Sequence, residues 1–161
     1  MTKMIFIDTE FTNFIDTSLI SMGLVADTGE EFYVEVSFNV TECSAFVREA
    51  VLPQLGSSEH DYCSRPNLRT RILNWLGILR NRDEPIVIGF DYQTDWDLFC
   101  DALDNALPAL CTGTNVAYCL SSLLLSDHYK ITGDTEHHAL HDARANRYAY
   151  RAPVVTEEEG S

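Results

Sequence analysis

The sequence predicts an α/β fold: a mixed β-sheet, built from a three-strand antiparallel meander plus parallel strands, flanked by helices. Three observations predict it. Apolar runs rich in β-branched and aromatic residues recur between Ile5 and Phe38 with short links between them. Strand and helix signals then alternate to the end of the chain. The 161 residues, 45% of them hydrophobic, suffice for one domain with a sizeable core.

Ile5-Phe6-Ile7 reads as a buried first strand. Ser18–Ala26 is a second, Asp27-Thr28-Gly29 a hairpin-type turn, and Glu31–Phe38 a third with Phe32, Val34, Val36 and Phe38 on one face. Cys43–Val51 looks helical and is expected to stop before Pro53, and Gly56–Pro66 is turn-rich and expected as a loop. Pro66 suits the first turn of a helix to about Leu79, with Ile72, Trp75, Leu76 and Leu79 along one stripe. Pro85–Phe90 is a strongly apolar strand and Asp95–Leu107 a helix. Asn115–Cys119 is expected as a short strand and Leu120–Leu125 as a helix start. A last helix starts near His138 or Ala139 and runs to about Arg151. The domain is expected to span 1–152, and 153–161, with three consecutive glutamates, an acidic disordered tail.

Composition narrows the function. The formal net charge is −14, with 25 acidic residues against 11 Lys plus Arg, so the surface should repel long polyanions unless cations or a local basic patch intervene. Five cysteines, an odd set without a Cys-x-x-Cys pair, argue against a disulfide framework and a zinc ribbon and for a reducing cytoplasm. No apolar run approaches the length of a membrane span, and Met1–Lys3 leads straight into strand without a signal-peptide pattern.

Three stretches carry chemistry. Asp8 and Glu10 lie one pleat apart on the same face at the end of a buried strand, where two carboxylates repel each other unless hard divalent cations sit between them. The strand Pro85–Phe90 ends in Asp91, Asp95 and Asp97, at the strand end where open α/β sheets gather ligands. Trp96-Asp97-Leu98-Phe99 sets Asp97 between large apolar groups; Asp91 is a competing candidate. The third is His137-His138-Ala139-Leu140-His141-Asp142 at the head of the last helix. Histidine suits proton transfer near neutral pH, and Asp142 adds another carboxylate. On a continuous helix His138 shares a face with Asp142, whereas His137 converges on it only from a loop ahead of the helix.

Together these motifs resemble the DEDDh superfamily of 3′–5′ exonucleases, which have a ribonuclease-H-like fold. Ile5-Phe6-Ile7-Asp8-Thr9-Glu10-Phe11-Thr12 with Leu19–Val25 is similar to the short bacterial 3′–5′ exoribonuclease branch. The resemblance extends from residue 3 to about 150, with Tyr92-Gln93 standing where many members have His-Asn. It implies Asp8, Glu10, Asp97 and Asp142 as ligands of two divalent cations, Mg²⁺ or Mn²⁺, with Asp8 bridging, and selects His137 as general base. It further implies single-stranded RNA 3′ ends as substrate, DNA being the alternative, and a 5′-mononucleotide product. A nucleotide-binding module without turnover and an interaction subunit are the other readings, and a homodimer stays open. Phe11 is placed to stack on the terminal base, and Thr9 and Thr12 accompany it as expected substrate contacts. Arg144, Arg147 and Arg151 form one cationic stripe, read as a phosphate rail or as charge near a helix C-terminus; Arg65, Arg69 and Arg71 are a second candidate.

Overall fold

The computed structural model describes residues 1–81 and 83–153. The acidic tail expected over 153–161 therefore lies, beyond Pro153, outside the described residues. Six strands form one sheet, in the spatial order Tyr62–Cys63, Glu31–Val36, Leu19–Ala26, Lys3–Phe11, Ile86–Phe90 and Cys111–Asn115. Strands β1 (Lys3–Phe11), β2 (Leu19–Ala26) and β3 (Glu31–Val36) form the expected antiparallel meander. Strand β5 (Ile86–Phe90) lies parallel to β1, and β6 (Cys111–Asn115) lies parallel to β5 at the edge. The two-residue β4 (Tyr62–Cys63) pairs parallel with β3 inside the stretch expected to be loop.

Alternation along the strands sorts the two faces. Ile5, Ile7, Met22, Leu24, Val34, Ile86 and Ile88 are fully buried and join Leu68, Ile72 and Leu76 of α1 (Arg65–Leu79) in one cluster. Leu98 and Phe99 of α2 (Gln93–Ala102) enter the same core. Each such side chain contributes about 1.5–3 kcal/mol on burial. α3 (Ser122–Thr132) packs on α4 (Ala139–Ala149), which rests on β1 and β2. Ala139, Ala143, Ala145 and Ala149 of α4 are buried, and small side chains let a helix approach a sheet closely. The approach is tightest at Gly23 of β2, where a Cβ would lie 2.4 Å from the Ala139 carbonyl oxygen. That contact fixes where α4 begins.

Several expected boundaries shift for local reasons. The helical stretch after Cys43 does not stop at Pro53. A π turn (Val47–Val51) runs into a 3₁₀ turn (Leu52–Gln54) that accommodates Pro53 near its start, where no intrahelical N–H is needed. α2 starts earlier than expected and ends before Leu107, because Asp104 and Asn105 adopt left-handed backbone with φ near 55°. The edge strand is Cys111–Asn115, not Asn115–Cys119, which is mostly a 3₁₀ turn (Ala117–Cys119). Its Thr112–Asn115 side is exposed and lacks an apolar alternation to announce it.

Candidate active site

The last residues of β1 form the floor of the site. Asp8 and Glu10 share one face of the strand, as period-two alternation requires. A register irregularity at Glu10/Phe11 turns the chain just beyond them, a usual device for aiming a side chain beside a site. Two carboxylate triads converge there and share Asp8. Asp8, Glu10 and Asp142 offer oxygens within 4.8 Å of one another, and so do Asp8, Asp91 and Asp95. The second triad comes from the end of β5 and the first turn of α2.

This corrects the expectation for Asp97. Its side chain is exposed and accepts a hydrogen bond from Gln93 Nε2 at 3.0 Å on the outer face of α2. Asp95 is only 2% exposed and enters the cluster instead. The reason is helical phase: α2 begins at Gln93, so Asp95 shares its buried face with Leu98 and Phe99. Asp97, two residues on, lies about 200° around. The i, i+3, i+4 pattern Asp95–Leu98–Phe99 is the signal in the sequence that could have placed Asp95 on the buried face.

Thr9 holds Asp95 in place. Its N–H (3.0 Å) and its hydroxyl (2.6 Å) both donate to Asp95 Oδ1. The expected substrate contact Thr12 does not line the cleft: it is fully buried, donates to the Asp16 carbonyl and accepts from Ser18 N–H, closing the loop after β1. Asp142, in the first turn of α4, accepts from the Tyr129 hydroxyl at 2.6 Å and from His137 N–H at 3.0 Å.

The two adjacent histidines are separated by backbone conformation. His137 has φ of 63°, so it stands on the incoming loop and points into the cleft, as the DEDDh resemblance implies. His138 caps α4 with its ring stacked between Tyr33 (4.7 Å) and His141 (4.0 Å). Burial, then the neighbouring His141 and Arg144 charges, hold its pKa down to about 4.

The carboxyls are strongly perturbed. Burial, followed by the charges of Asp95, Asp142, Glu10 and Asp91, pushes Asp8 well above the usual carboxylate range. Burial and then Asp142 and Asp95 push Glu10 up to about 8. Asp95 is raised to about 7, chiefly by burial, against the lowering effect of the Thr9 hydrogen bonds. Burial also raises Asp91 and Asp142. Among the described residues no lysine or arginine lines the cleft that holds these groups. A buried acidic cluster of this kind fits hard divalent cations, with Asp8 common to both triads.

The cleft has a volume of about 540 Å³, and its mouth is aromatic. Phe11 meets Phe14 edge-on at 5.2 Å, and Phe14 meets Tyr92 at 5.9 Å. Phe46 stands edge-on to His137 at 4.8 Å. Phe14, Phe46 and Tyr92 are all at least half exposed. Their role was not read from the sequence, because they come from three separate segments. A second opening, lined by Ser122, Ser126 and Tyr129, reaches Asp8, His137 and Asp142 from the α3 side.

The arginine stripe does not face the cleft. Arg144 makes a two-pronged pair with Glu31 (both contacts 2.8 Å) and reaches Asp134, while Arg147 donates twice to the Asp27 carbonyl. The acidic β2–β3 turn and its open carbonyls draw both side chains. Arg151 donates to the carbonyls of Tyr148 and Tyr150. Arg65, Arg69 and Arg71 are likewise spent on main-chain carbonyls.

No family model matches the sequence. A search of curated proteins finds no match either. The backbone does match solved structures. One is the crystal structure of the nuclease domain of 3′hExo, a DEDDh family member, bound to rAMP. It is 13% identical, the match covers 90% of this chain and 88% of that one, and the TM-score is 0.59. The likeness gives the fold: the ribonuclease-H-like mixed sheet that the motif resemblance implied.

Proposed function

On this DEDDh-like nuclease fold, we propose that the chain is a divalent-cation-dependent 3′–5′ exonuclease that trims single-stranded RNA ends to 5′-mononucleotides. The observation that carries the reading is the pair of carboxylate triads sharing Asp8, with His137 beside them under an aromatic-rimmed cleft. A nucleotide-binding module without turnover has no need of five converging, mutually repelling carboxyls and a histidine.

Asp8, Glu10 and Asp142 would hold one cation, and Asp8, Asp91 and Asp95 the other. Bound there, Mg²⁺ or Mn²⁺ would supply charge neutralisation at the phosphate, a more acidic water and stabilisation of the leaving oxygen. The chain's own residues do the rest. The ring of His137 takes the proton of the water that attacks phosphorus. The bond from phosphorus to the upstream 3′-oxygen breaks, that oxygen takes a proton from solvent, and the products are a shortened chain with a 3′-hydroxyl and a free 5′-mononucleotide. Asp142 keeps its orientation because both of its oxygens are tied, one by Tyr129 and the other by the His137 N–H. Thr9 does the same for Asp95.

Substrate grip falls to the aromatic rim. Phe11, Phe14, Tyr92 and Phe46 offer faces and edges on which unpaired bases stack, worth about 1–3 kcal/mol per base. Stacking suits a chain whose stripe arginines are committed to its own backbone and acids, and it favours frayed or overhanging ends. Five unpaired cysteines suit a reducing compartment such as the cytoplasm. Among the described residues no helix is long and apolar enough to cross a membrane. The test is degradation of matched, 5′-labelled RNA and DNA oligonucleotides, single-stranded and with 3′ overhangs, with and without Mg²⁺ or Mn²⁺. A ladder growing from the 3′ end, faster on RNA, supports the proposal; a faster DNA ladder replaces the substrate class.

A further inference from the structure

His137 stands in left-handed backbone that residues other than glycine adopt only when their surroundings hold them there. One hold is its N–H on Asp142. Another comes from a segment remote in sequence. At the end of the π and 3₁₀ turns the side chain of Gln54 folds back over its own helical turn. The Gln54 amide nitrogen donates to the carbonyls of Ala50 (2.8 Å), Glu136 (2.8 Å) and His137 (3.1 Å). The Gln54 amide oxygen accepts from the Thr135 hydroxyl. One side chain therefore grips three consecutive residues, Thr135 to His137, of the loop that delivers the proposed general base. The same segment presents Phe46, whose ring buttresses the His137 imidazole edge-on at 4.8 Å. It is anchored from beneath by a small apolar cluster of Ile20, Cys43, Val47 and Val51.

We infer that Gln54 is a positioning residue for His137, locking the strained loop so that the imidazole faces the attacking water. The inference rests on the exonuclease reading for its catalytic consequence but not for its structural one. Gln54 touches none of the triad carboxyls and does not itself line the cleft, reaching it only through the main-chain carbonyl of His137, so substrate and cation binding should not depend on it.

Gln54→Met keeps the bulk of the side chain and removes the amide. The variant should lose about tenfold to a hundredfold in kcat, the usual cost of a displaced catalytic group, with KM and the Mg²⁺ half-saturation point unchanged. In a His137→Ala background the same substitution should cost less than about twofold, since there is no base left to misplace. Gln54→Glu, which keeps the contact with Thr135 and repels the two loop carbonyls, should behave like Gln54→Met. Amide exchange followed by NMR reads the link without turnover. The His137 N–H should exchange about tenfold faster in Gln54→Met, while amides in the middle of α4 stay as they are. A full loss of kcat that persists in the His137→Ala background, or an unchanged His137 exchange rate in both folded variants, overturns the inference. If the wild-type protein releases no mononucleotide, the exonuclease reading fails, and the exchange rate alone decides the role of Gln54.

Discussion

Raising the pH should loosen the cation-free protein, and Glu10 measures by how much. Its carboxyl is pushed up to about 8 by burial and by Asp142 and Asp95, against an ordinary value of 4.5. Below about pH 4.5 the group is protonated whether the chain is folded or not, and the fold suffers nothing. Between that value and about 8 the unfolded chain ionises freely while the folded chain holds its proton, so stability falls as pH rises. At 1.36 kcal/mol per pH unit the ceiling is roughly 5 kcal/mol. The cleft is open to water and the repulsion is shared among several carboxyls, which brings the expected loss to about 1–2 kcal/mol. For a domain of this size that is about 3–8 °C in Tm. The assay is thermal unfolding in EDTA at about pH 5.5 and about pH 8.5, for wild type and Glu10→Gln. Wild type should lose more Tm than the variant, and excess Mg²⁺ at the higher pH should restore it. Parallel pH profiles for the two proteins would refute the reasoning.

Three further outcomes follow from the geometry. Asp95→Asn should lower turnover at least about a hundredfold, while Asp97→Asn, on the exposed face of α2, should stay within about twofold; steady-state rates on one oligonucleotide decide it. His137→Ala should cost about 10²–10⁴-fold in kcat, the worth of a general base, and His138→Ala, outside the cleft, far less; the opposite ranking would place the base on α4 itself. Because the stripe arginines are tied to Glu31, Asp134 and main-chain carbonyls, few counterions are released on binding. The slope of log K against log salt for a non-cleavable oligonucleotide should be shallower than about −3, and a steeper one would require a basic groove.

Most of the fold was legible because its strands obey period-two alternation over a buried face. β2, β3 and β5 lie within about two residues of their expected bounds, and β1 forms where expected but runs four residues past Ile7, to Phe11. What failed was structure whose cause is not periodic. The exposed β6 is defined by pairing with β5, and the turn through Pro53 by packing under Ile20. Asp8, Glu10, His137 and Asp142 each stand in a local sequence motif, and the structure brings all four to one cleft. The apolar sequence neighbours of Asp97 and the resemblance to the family's second motif point to Asp97, with Asp91 as competitor, whereas the phase of α2 turns Asp97 outward and brings Asp95 in beside Asp91. Of the arginine stripe only Arg144 and Arg147 stand on α4, which ends at Ala149 short of Arg151, and the partners Glu31, Asp134 and Asp27 come from other segments. Gln54 and Phe46 likewise act on a loop far along the chain, which no local pattern announces.

The most direct test of two-cation hydrolysis from the 3′ end is product analysis by chromatography on a short single-stranded RNA, comparing wild type with Asp8→Asn. Asp8 belongs to both triads, so its loss removes both proposed cation sites at once. With Mg²⁺ or Mn²⁺, wild type should release 5′-mononucleotides one at a time from the 3′ end; excess EDTA or Asp8→Asn should reduce the rate at least about a hundredfold. Full activity in EDTA, or a fully active Asp8→Asn protein, would contradict the account.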